Sequence, residues 1–386
     1  MFSTRNRTFR GLDEAYAASP QIPFDPAKDK IIIFSDVHMG GKEKHVDDFA
    51  RNEMIYCHAL QHYYDNGFSL VLNGDVEEGW QAKFGAIYRA YNDTAYATER
   101  LFSKEGFPRH VRIRGNHDDL WRKERKVRKH LWRAIGEVQV HQGLRLGDSI
   151  FITHGHQGEW FGDEIAWLSA WTVRHGWRWF QRFLALTTVR AATNHLVRRQ
   201  RDELLYSWSR KHRQIVIAGH THRSMFGDLP ESNQLIAAMK RLEEELPNHP
   251  SPFQAQATIQ HLRNVIQKAQ NREMAEPAVP SYFNGGSCVN LNGITGIEID
   301  QGEIRLIRWE LADAVRPEMF EARRDAGLLF TIERKLYRTA DLQRVIERVK
   351  HPPMLEGEGQ AVAPPAEMEE VRKGKPEDDT QETTAA

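Results

Sequence analysis

Short apolar runs recur along the chain, each closing on polar or glycine-bearing residues. The first is Lys30–Asp36 (KIIIFSD), where Ile31 to Phe34 run without a polar break. Phe68–Asn73 (FSLVLN), His110–Arg114 (HVRIR), Ser149–Thr153 (SIFIT) and Gln214–Ala218 (QIVIA) repeat the pattern. Runs this short, rich in β-branched residues, predict buried strands. Between them lie helical stretches. Asp47–Tyr64 carries Phe49, Met54, Ile55 and Leu60 at near-helical spacing and ends at Asn66-Gly67; Tyr88–Phe102 and the basic segment Leu120–Ile135 follow. Strands alternating with helices predict an α/β layered fold. Residues up to about Pro26 read as an irregular lead-in.

Later in the chain β character returns in SYFNGGSCVN and GITGIEIDQGEIRLIRWEL, where the alternation over Ile294–Trp309 and the turn Asp300-Gln301-Gly302 predict a hairpin. The expected organisation is a core over 28–312, interrupted by helical insertions at 157–213 and 228–278. A helical extension over 313–350, with a helix near Ala340–Val349, follows. The last segment, 351–386, is rich in Pro, Glu, Gly and Thr and reads as a disordered acidic tail.

Composition changes this picture only locally. The 386 residues include 53 Lys plus Arg and 53 Asp plus Glu, so the formal net charge is zero. That argues against a general polyanion binder. Arg122–His130 (RKERKVRKH), Arg198–Arg201 and Arg210–Arg213 are nevertheless basic runs, which keep a nucleic-acid partner open. Two cysteines, Cys57 and Cys288, make neither a disulfide framework nor a thiolate metal site and read as core thiols. The N-terminal stretch has no apolar run of signal-peptide length, and no run reaches the roughly 18 apolar residues of a membrane span. A cytoplasmic enzyme is the expectation.

The chemistry sits where the five apolar runs stop. They end in D-x-H (Asp36, His38), G-D (Asp75), G-N-H-D (Asn116, His117, Asp118), H-G-H (His154, His156) and G-H-T-H (His220, His222). In open α/β sheets ligands bind beyond the carboxyl ends of strands. Imidazoles, carboxylates and one amide suit Mn²⁺, Fe, Zn²⁺ or Co²⁺ better than Mg²⁺ or Ca²⁺. There are too many such groups for one tetrahedral ion. Two ions sharing a carboxylate would use them, and paired ions are a usual device for phosphate-ester hydrolysis.

In their residues and order, these blocks resemble those of the calcineurin-like metallophosphoesterase superfamily. The resemblance covers roughly Lys30–Arg223 without the insertion, and the strands after Ser281. It implies a four-layer α/β (α+β) fold, a β-sandwich flanked by helices, holding two divalent metal ions, Mn²⁺ foremost. Carried over, Asp36, His38 and His222 would hold the first metal, Asp75 would bridge, and Asn116, His154 and His220 would hold the second. His117 would be the general acid over the leaving group, oriented by Asp118. His156 would lie behind the ligands or face substrate. The implied reaction is hydrolysis of a phosphate ester or pyrophosphate.

The substrate is less constrained. The insertion between the H-G-H and G-H-T-H blocks, and the run Gly74-Asp75-Val76-Glu77-Glu78-Gly79-Trp80, resemble the UDP-2,3-diacylglucosamine hydrolases of lipid A synthesis. That group carries Arg where this chain has His117, and it lacks the second insertion. Trp160, Trp167, Trp171, Trp177, Trp179 and Trp208 alternate with Arg174, Arg178, Arg182 and Arg190 in the first insertion. Three readings stay open for it: a lid over an acyl or nucleobase group, a helical pair packed on the core, or docking on the inner membrane surface. The partners to weigh are therefore a phosphate-containing small molecule, a lipid-linked phosphate or a nucleic acid. The rival functions are a nuclease and a non-catalytic scaffold on the same fold.

Overall fold

The computed structural model describes residues 4–42, 47–158, 187–227 (side chains from 198), 239, 242–243, 246, 256–260, 262–264, 266–267, 279–291, 293–312 and 331–352. In chain order the principal elements are α1 (Thr4–Ala18), β1 (Gln21–Ile22), β2 (Ile31–Phe34), α2 (Glu53–Asp65), β3 (Ser69–Asn73), α3 (Phe84–Tyr91), α4 (Ala95–Ser103) and β4 (His110–Ile113). Strands β5 (Val140–His141), β6 (Gly143–Leu146) and β7 (Ile150–Thr153) precede a long helix, Thr187–His212. Then come β8 (Ile215–Ala218), β9 (Ser224–Gly227), β10 (Tyr282–Gly285), β11 (Ile294–Asp300), β12 (Glu303–Leu311), β13 (Ile332–Asp341) and a last helix, Leu342–Lys350.

The strands form two sheets, ordered β1-β6-β7-β8-β10-β9 and β13-β12-β11-β2-β3-β4-β5. β2, β3 and β4 run parallel, as do β7 and β8, so their carboxyl ends share a direction within each sheet. The period-two alternation of strand side chains explains the layering. Ile31 and Ile33 of β2 and Val71 of β3 join Ile150, Ile152, Ile215 and Ile217 in the core between the sheets. Ile32, Phe34, Leu70 and Leu72 face the other way, into a core with Tyr56, Leu60 and Tyr63 of α2 and Tyr96 and Phe102 of α4. On the far side Phe9, Leu12 and Ala15 of α1 pack with Leu205 and Trp208 of the long helix against Phe151 and Val216. Helix, sheet, sheet, helix is the four-layer fold that the motifs implied.

Several local expectations are corrected. The lead-in is not irregular: Phe9, Leu12 and Ala15, three residues apart, make one face of α1, and Asp13 accepts a hydrogen bond from Trp208 Nε1 at 2.8 Å. The helix expected over Asp47–Tyr64 starts only at Glu53, because Asp47 caps the preceding turn by accepting from the Lys42 and Ala50 amides. Tyr88–Phe102 is two helices. The break at Asn92-Asp93-Thr94 is held by tertiary partners: Arg100 donates to the Asn92 carbonyl at 2.7 Å, and Thr94 to Glu53. Leu120–Ile135 is a succession of short turns of 3-10, α and π geometry rather than one helix.

The helical extension expected over 313–350 contains the ten-residue strand β13, paired antiparallel to β12 at the sheet margin, before its helix. The predicted hairpin is present as β11 and β12. Trp208 is buried in the core, while the side chains of the other tryptophans and arginines named in the first insertion lie outside the described residues, as does 353–386. In the second insertion, Leu262 and Ile266 bury against Met239 and Leu242. Cys57 and Cys288 are unpaired, and Cys288 is buried.

Candidate metal centre

Where β2, β3, β4, β7 and β8 stop, the backbone turns sharply. Asp36, His38, Asp75, His220 and His222 all adopt positive φ, between 51° and 67°. Non-glycine residues occupy that region only where surroundings enforce it, at a cost of order 1–3 kcal/mol each, and such positions cluster at functional sites. The surroundings here are backbone ties between neighbouring loops within each sheet. Asp36 N–H donates to the Gly74 carbonyl at 3.1 Å, and Gly219 N–H to the His154 carbonyl at 3.0 Å. Glycine is required at two tips. A Cβ on Gly74, at φ 82°, would lie 2.4 Å from His154 Nδ1, and one on Gly115 would lie 2.1 Å from Asp75 Oδ1.

These turns aim side chains at one another. His222 Nε2 is 3.0 Å from Asp36 Oδ1 and 3.1 Å from His38 Nε2. His154 Nε2 is 3.1 Å from Asp75 Oδ2 and 3.3 Å from Asn116 Oδ1. Three sets of donors each fall within 4.8 Å: Asp36, His38 and His222; Asp75, His154 and His220; His38, Asp75 and His117. His38 Nε2 and Asp75 Oδ2, 3.9 Å apart, link the first two sets. Asp36 also accepts the His220 amide at 3.0 Å, so it braces the same loop whose His222 it faces.

The donor chemistry suits divalent cations. His154 Nδ1–H donates to the Asn73 carbonyl at 2.8 Å, which turns Nε2 toward Asp75. His38 Nδ1 is likewise taken by Glu78 Oε2 at 2.9 Å, turning its Nε2 to His222. Fixing the outer ring nitrogen on a carbonyl or carboxylate is how metal-ligating histidines are oriented. Two imidazole nitrogens facing each other across a carboxylate are best satisfied by a cation between them.

The electrostatics point the same way. Burial opposes ionisation of Asp36 and Asp75, yet His222 and His154 respectively outweigh it and hold both carboxyls well below their usual range. Burial would lower His154, but Asp75 raises it to about 9. Protons are favoured on His38 and His154 because the carboxylates beside them demand positive charge.

His117 sits at the rim of this cluster. Its ring lies 4.7 Å from that of His38, edge to face, and stacks on Trp80 at 3.9 Å. Its Nδ1 meets Glu78, at 2.8 Å from Oε2, and not Asp118. This corrects the expected orienting role of Asp118. That buried carboxylate instead accepts the Gly115 amide at 2.6 Å and the Val76 amide at 3.0 Å, tying two loops together. Glu78 thus serves His38 and His117 at once. Burial resists its charge, but His117 and His38 lower it to about 2.

Glu78 and Trp80 are the residues that sequence reasoning did not assign. Both stand in the Gly74–Trp80 run, and Glu78 follows Asp75 by three residues, which is the available signal. Trp80 Nε1 also holds the Asn116 carbonyl at 3.1 Å. His156 is buried behind His154 and His220, its ring 5.5 Å and 6.4 Å from theirs. Burial, with His154 and His220 nearby, pushes its pKa well down.

The sequence model of the calcineurin-like phosphoesterase family matches residues 29–224, which span every strand tip described above. No curated protein matches the chain.

Proposed function

The chain belongs to the calcineurin-like phosphoesterase family and is a hydrolase of phosphoric esters, and from that premise we propose a dinuclear, metal-dependent phosphohydrolase acting on a phosphate ester or pyrophosphate of a small or lipid-linked molecule. The observation that carries this reading is the convergence of Asp36, His38 and His222 beside Asp75, His154 and His220. The first set, with Asp75 shared, would hold one cation; Asp75, Asn116, His154 and His220 would hold the other. Mn²⁺ is the first candidate, with Fe, Zn²⁺ and Co²⁺ suited to the same donors. When bound, such cations supply the positive charge that activates water and neutralises phosphoryl oxygens.

The chain's own residues would do the rest. The Asn116 side-chain amide faces the space beside His154 and would donate to a phosphoryl oxygen as charge develops there. His117 would deliver a proton to the departing oxygen, since an imidazole can both carry and release one near neutral pH. Glu78 would hold His117 in that attitude through Nδ1, leaving Nε2 for the proton transfer. Trp80, stacked on the same ring, would restrict its rotation and shield one face from water.

The test is a screen of Mn²⁺-reconstituted protein on monoesters, diesters, nucleotide pyrophosphates and UDP-sugars, read by phosphate or nucleotide release. Asp75→Asn should lose both metal and turnover. His117→Ala should keep its metal and slow most on poor leaving groups. If that variant cleaves alkyl and nitrophenyl esters at unchanged relative rates, the general-acid assignment is wrong.

A second reading, a nucleic-acid phosphodiesterase, is supported by the exposure of Arg122, Lys123, Arg125 and Lys129 just after the Asn116-His117 loop. It requires binding that weakens steeply with salt and is lost on charge reversal of those residues.

A further inference from the structure

The two loops that supply His154 on one side and His220 with His222 on the other are gripped by adjacent residues of a single helix. Arg201, in Thr187–His212, is buried at 5% exposure. Its Nε donates to the Gly155 carbonyl at 2.5 Å, its Nη2 to the Gln157 carbonyl at 2.6 Å and its Nη1 to Thr8 Oγ1 of α1 at 3.0 Å. The planar guanidinium therefore clasps the backbone on both sides of His156 and pins it to the N-terminal helix. That contact is tight: a Cβ on Gly158 would lie 2.6 Å from the Arg7 carbonyl oxygen.

Asp202 is fully buried. Its Oδ1 accepts Thr221 Oγ1 at 3.0 Å and the Tyr282 hydroxyl at 2.8 Å, and its Oδ2 accepts Arg223 Nη1 at 3.1 Å. Thr221 and Arg223 flank His222, and Thr221 separates it from His220. Asn284 of β10 completes the hold, donating to the Gly219 carbonyl at 2.7 Å.

We propose that Arg201 and Asp202 are positioning residues of the candidate metal centre, fixing the His154 loop and the His220–His222 loop against each other from one helix. Consecutive helical side chains diverge by about 100°, which lets one turn reach two loops. The arrangement has a cost that packing alone does not require: a buried ion pair is seldom more stable than a well-packed apolar substitute of similar volume. What an apolar residue cannot do is hold loop carbonyls and hydroxyls at fixed points. His154 and His220 belong to the same candidate cation set, with ring centroids 5.2 Å apart, so relative movement of the loops would open that set. The inference rests on the metallophosphohydrolase reading.

The experiment compares Asp202→Asn, Arg201→Lys and, as a control on the same helix, Trp208→Phe, which loses its bond to Asp13 and packs against Tyr16, Phe151 and His212. Metal-stripped full-length protein is titrated with Mn²⁺ by calorimetry, and the Mn²⁺ electron paramagnetic resonance spectrum is recorded for coupling between ions. Thermal midpoints are measured alongside. Asp202→Asn and Arg201→Lys should weaken Mn²⁺ binding by about 10–100-fold, the range for loss of outer-shell support. Both should lower kcat more than they change KM, and both should lose the coupled spectrum. Trp208→Phe should lose thermal stability while retaining wild-type Mn²⁺ affinity. If either loop-gripping variant fails to fold, Thr221→Val tests the Asp202 grip from the loop side, with the same expected loss. Wild-type affinity and spectrum in the folded variants would overturn the positioning pair and leave the proposed function standing. A wild-type protein that binds no Mn²⁺ and turns over no phosphate ester would overturn the proposed function and this inference together.

Discussion

The Glu78 carboxylate meets two imidazoles, and this sharing is the finest-grained feature of the centre. One oxygen lies 2.9 Å from His38 Nδ1 and 2.8 Å from His117 Nδ1. A group so placed would couple the ligand His38 to the proposed acid His117. Glu78→Gln preserves shape but removes the charge, and its amide nitrogen would face one ring as a donor. The expected outcome is a fall in kcat of about 10²-fold or more, with metal affinity lowered about 10-fold, measured by steady-state kinetics beside metal titration. An unchanged kcat would remove Glu78 from the machinery. The sequence directed attention to Asp118 instead because it neighbours His117 in the chain. Glu78 lies 39 positions away, and only the close approach of the β3 and β4 tips brings it near.

Among the elements, β4 departs most from its own pattern. Alternation in HVRIR turns Val111 and Ile113 to the inter-sheet core and Arg112 to the opposite face, where a reader of sequence would expect water. Glu99 of α4 and Glu77 meet it on that face, and Arg112 is buried. Its Nε and Nη2 donate to Glu99 at 2.6 and 2.8 Å, and its Nη1 to Glu77 at 3.0 Å. Glu77 in turn accepts from Tyr96 and Trp121, which braces the Gly74–Trp80 run from beneath. Arg112→Met would strand two buried carboxylates. It should destabilise the fold by about 3–5 kcal/mol, read from urea unfolding. A loss under about 1 kcal/mol, the scale of an exposed pair, would mean the network is dispensable.

Across the whole molecule, the buried carboxylates that cationic partners hold ionised weaken the fold in acid. Burial resists the charge on Glu99, yet Arg112 and His110 pull its pKa to about 2, against 4.5 ordinarily. Burial likewise opposes Glu298, which Arg334 and Arg305 lower, tying β11, β12 and β13 together. The folded-state values lie below the unfolded ones, so the stabilisation is complete above the unfolded pKa and is lost as protons are taken up on the way down. Unfolding free energy should therefore fall between pH 4.5 and about 2, and Glu99→Gln should flatten that limb. Urea unfolding at stepped pH checks this. A wild-type curve level over the interval would refute it.

The sequence by itself determined the five strand tips, the glycines that let them turn and the kinds of donor they carry. These are local properties: a short apolar run, an alternation and a turn residue are written within a few positions of one another. It also carried the layered fold, because strands alternating with helices admit few packings. Tertiary structure alone decided that α1 is a packed helix, that β13 joins a sheet, that Arg112 is buried and that Glu78 takes the place expected of Asp118. Each depends on contacts between residues far apart in the chain, with energies set by what covers a face and not by the residues on it. The pattern of positions states which side chains leave a strand together. Only the closure of two sheets against each other states which of them meet.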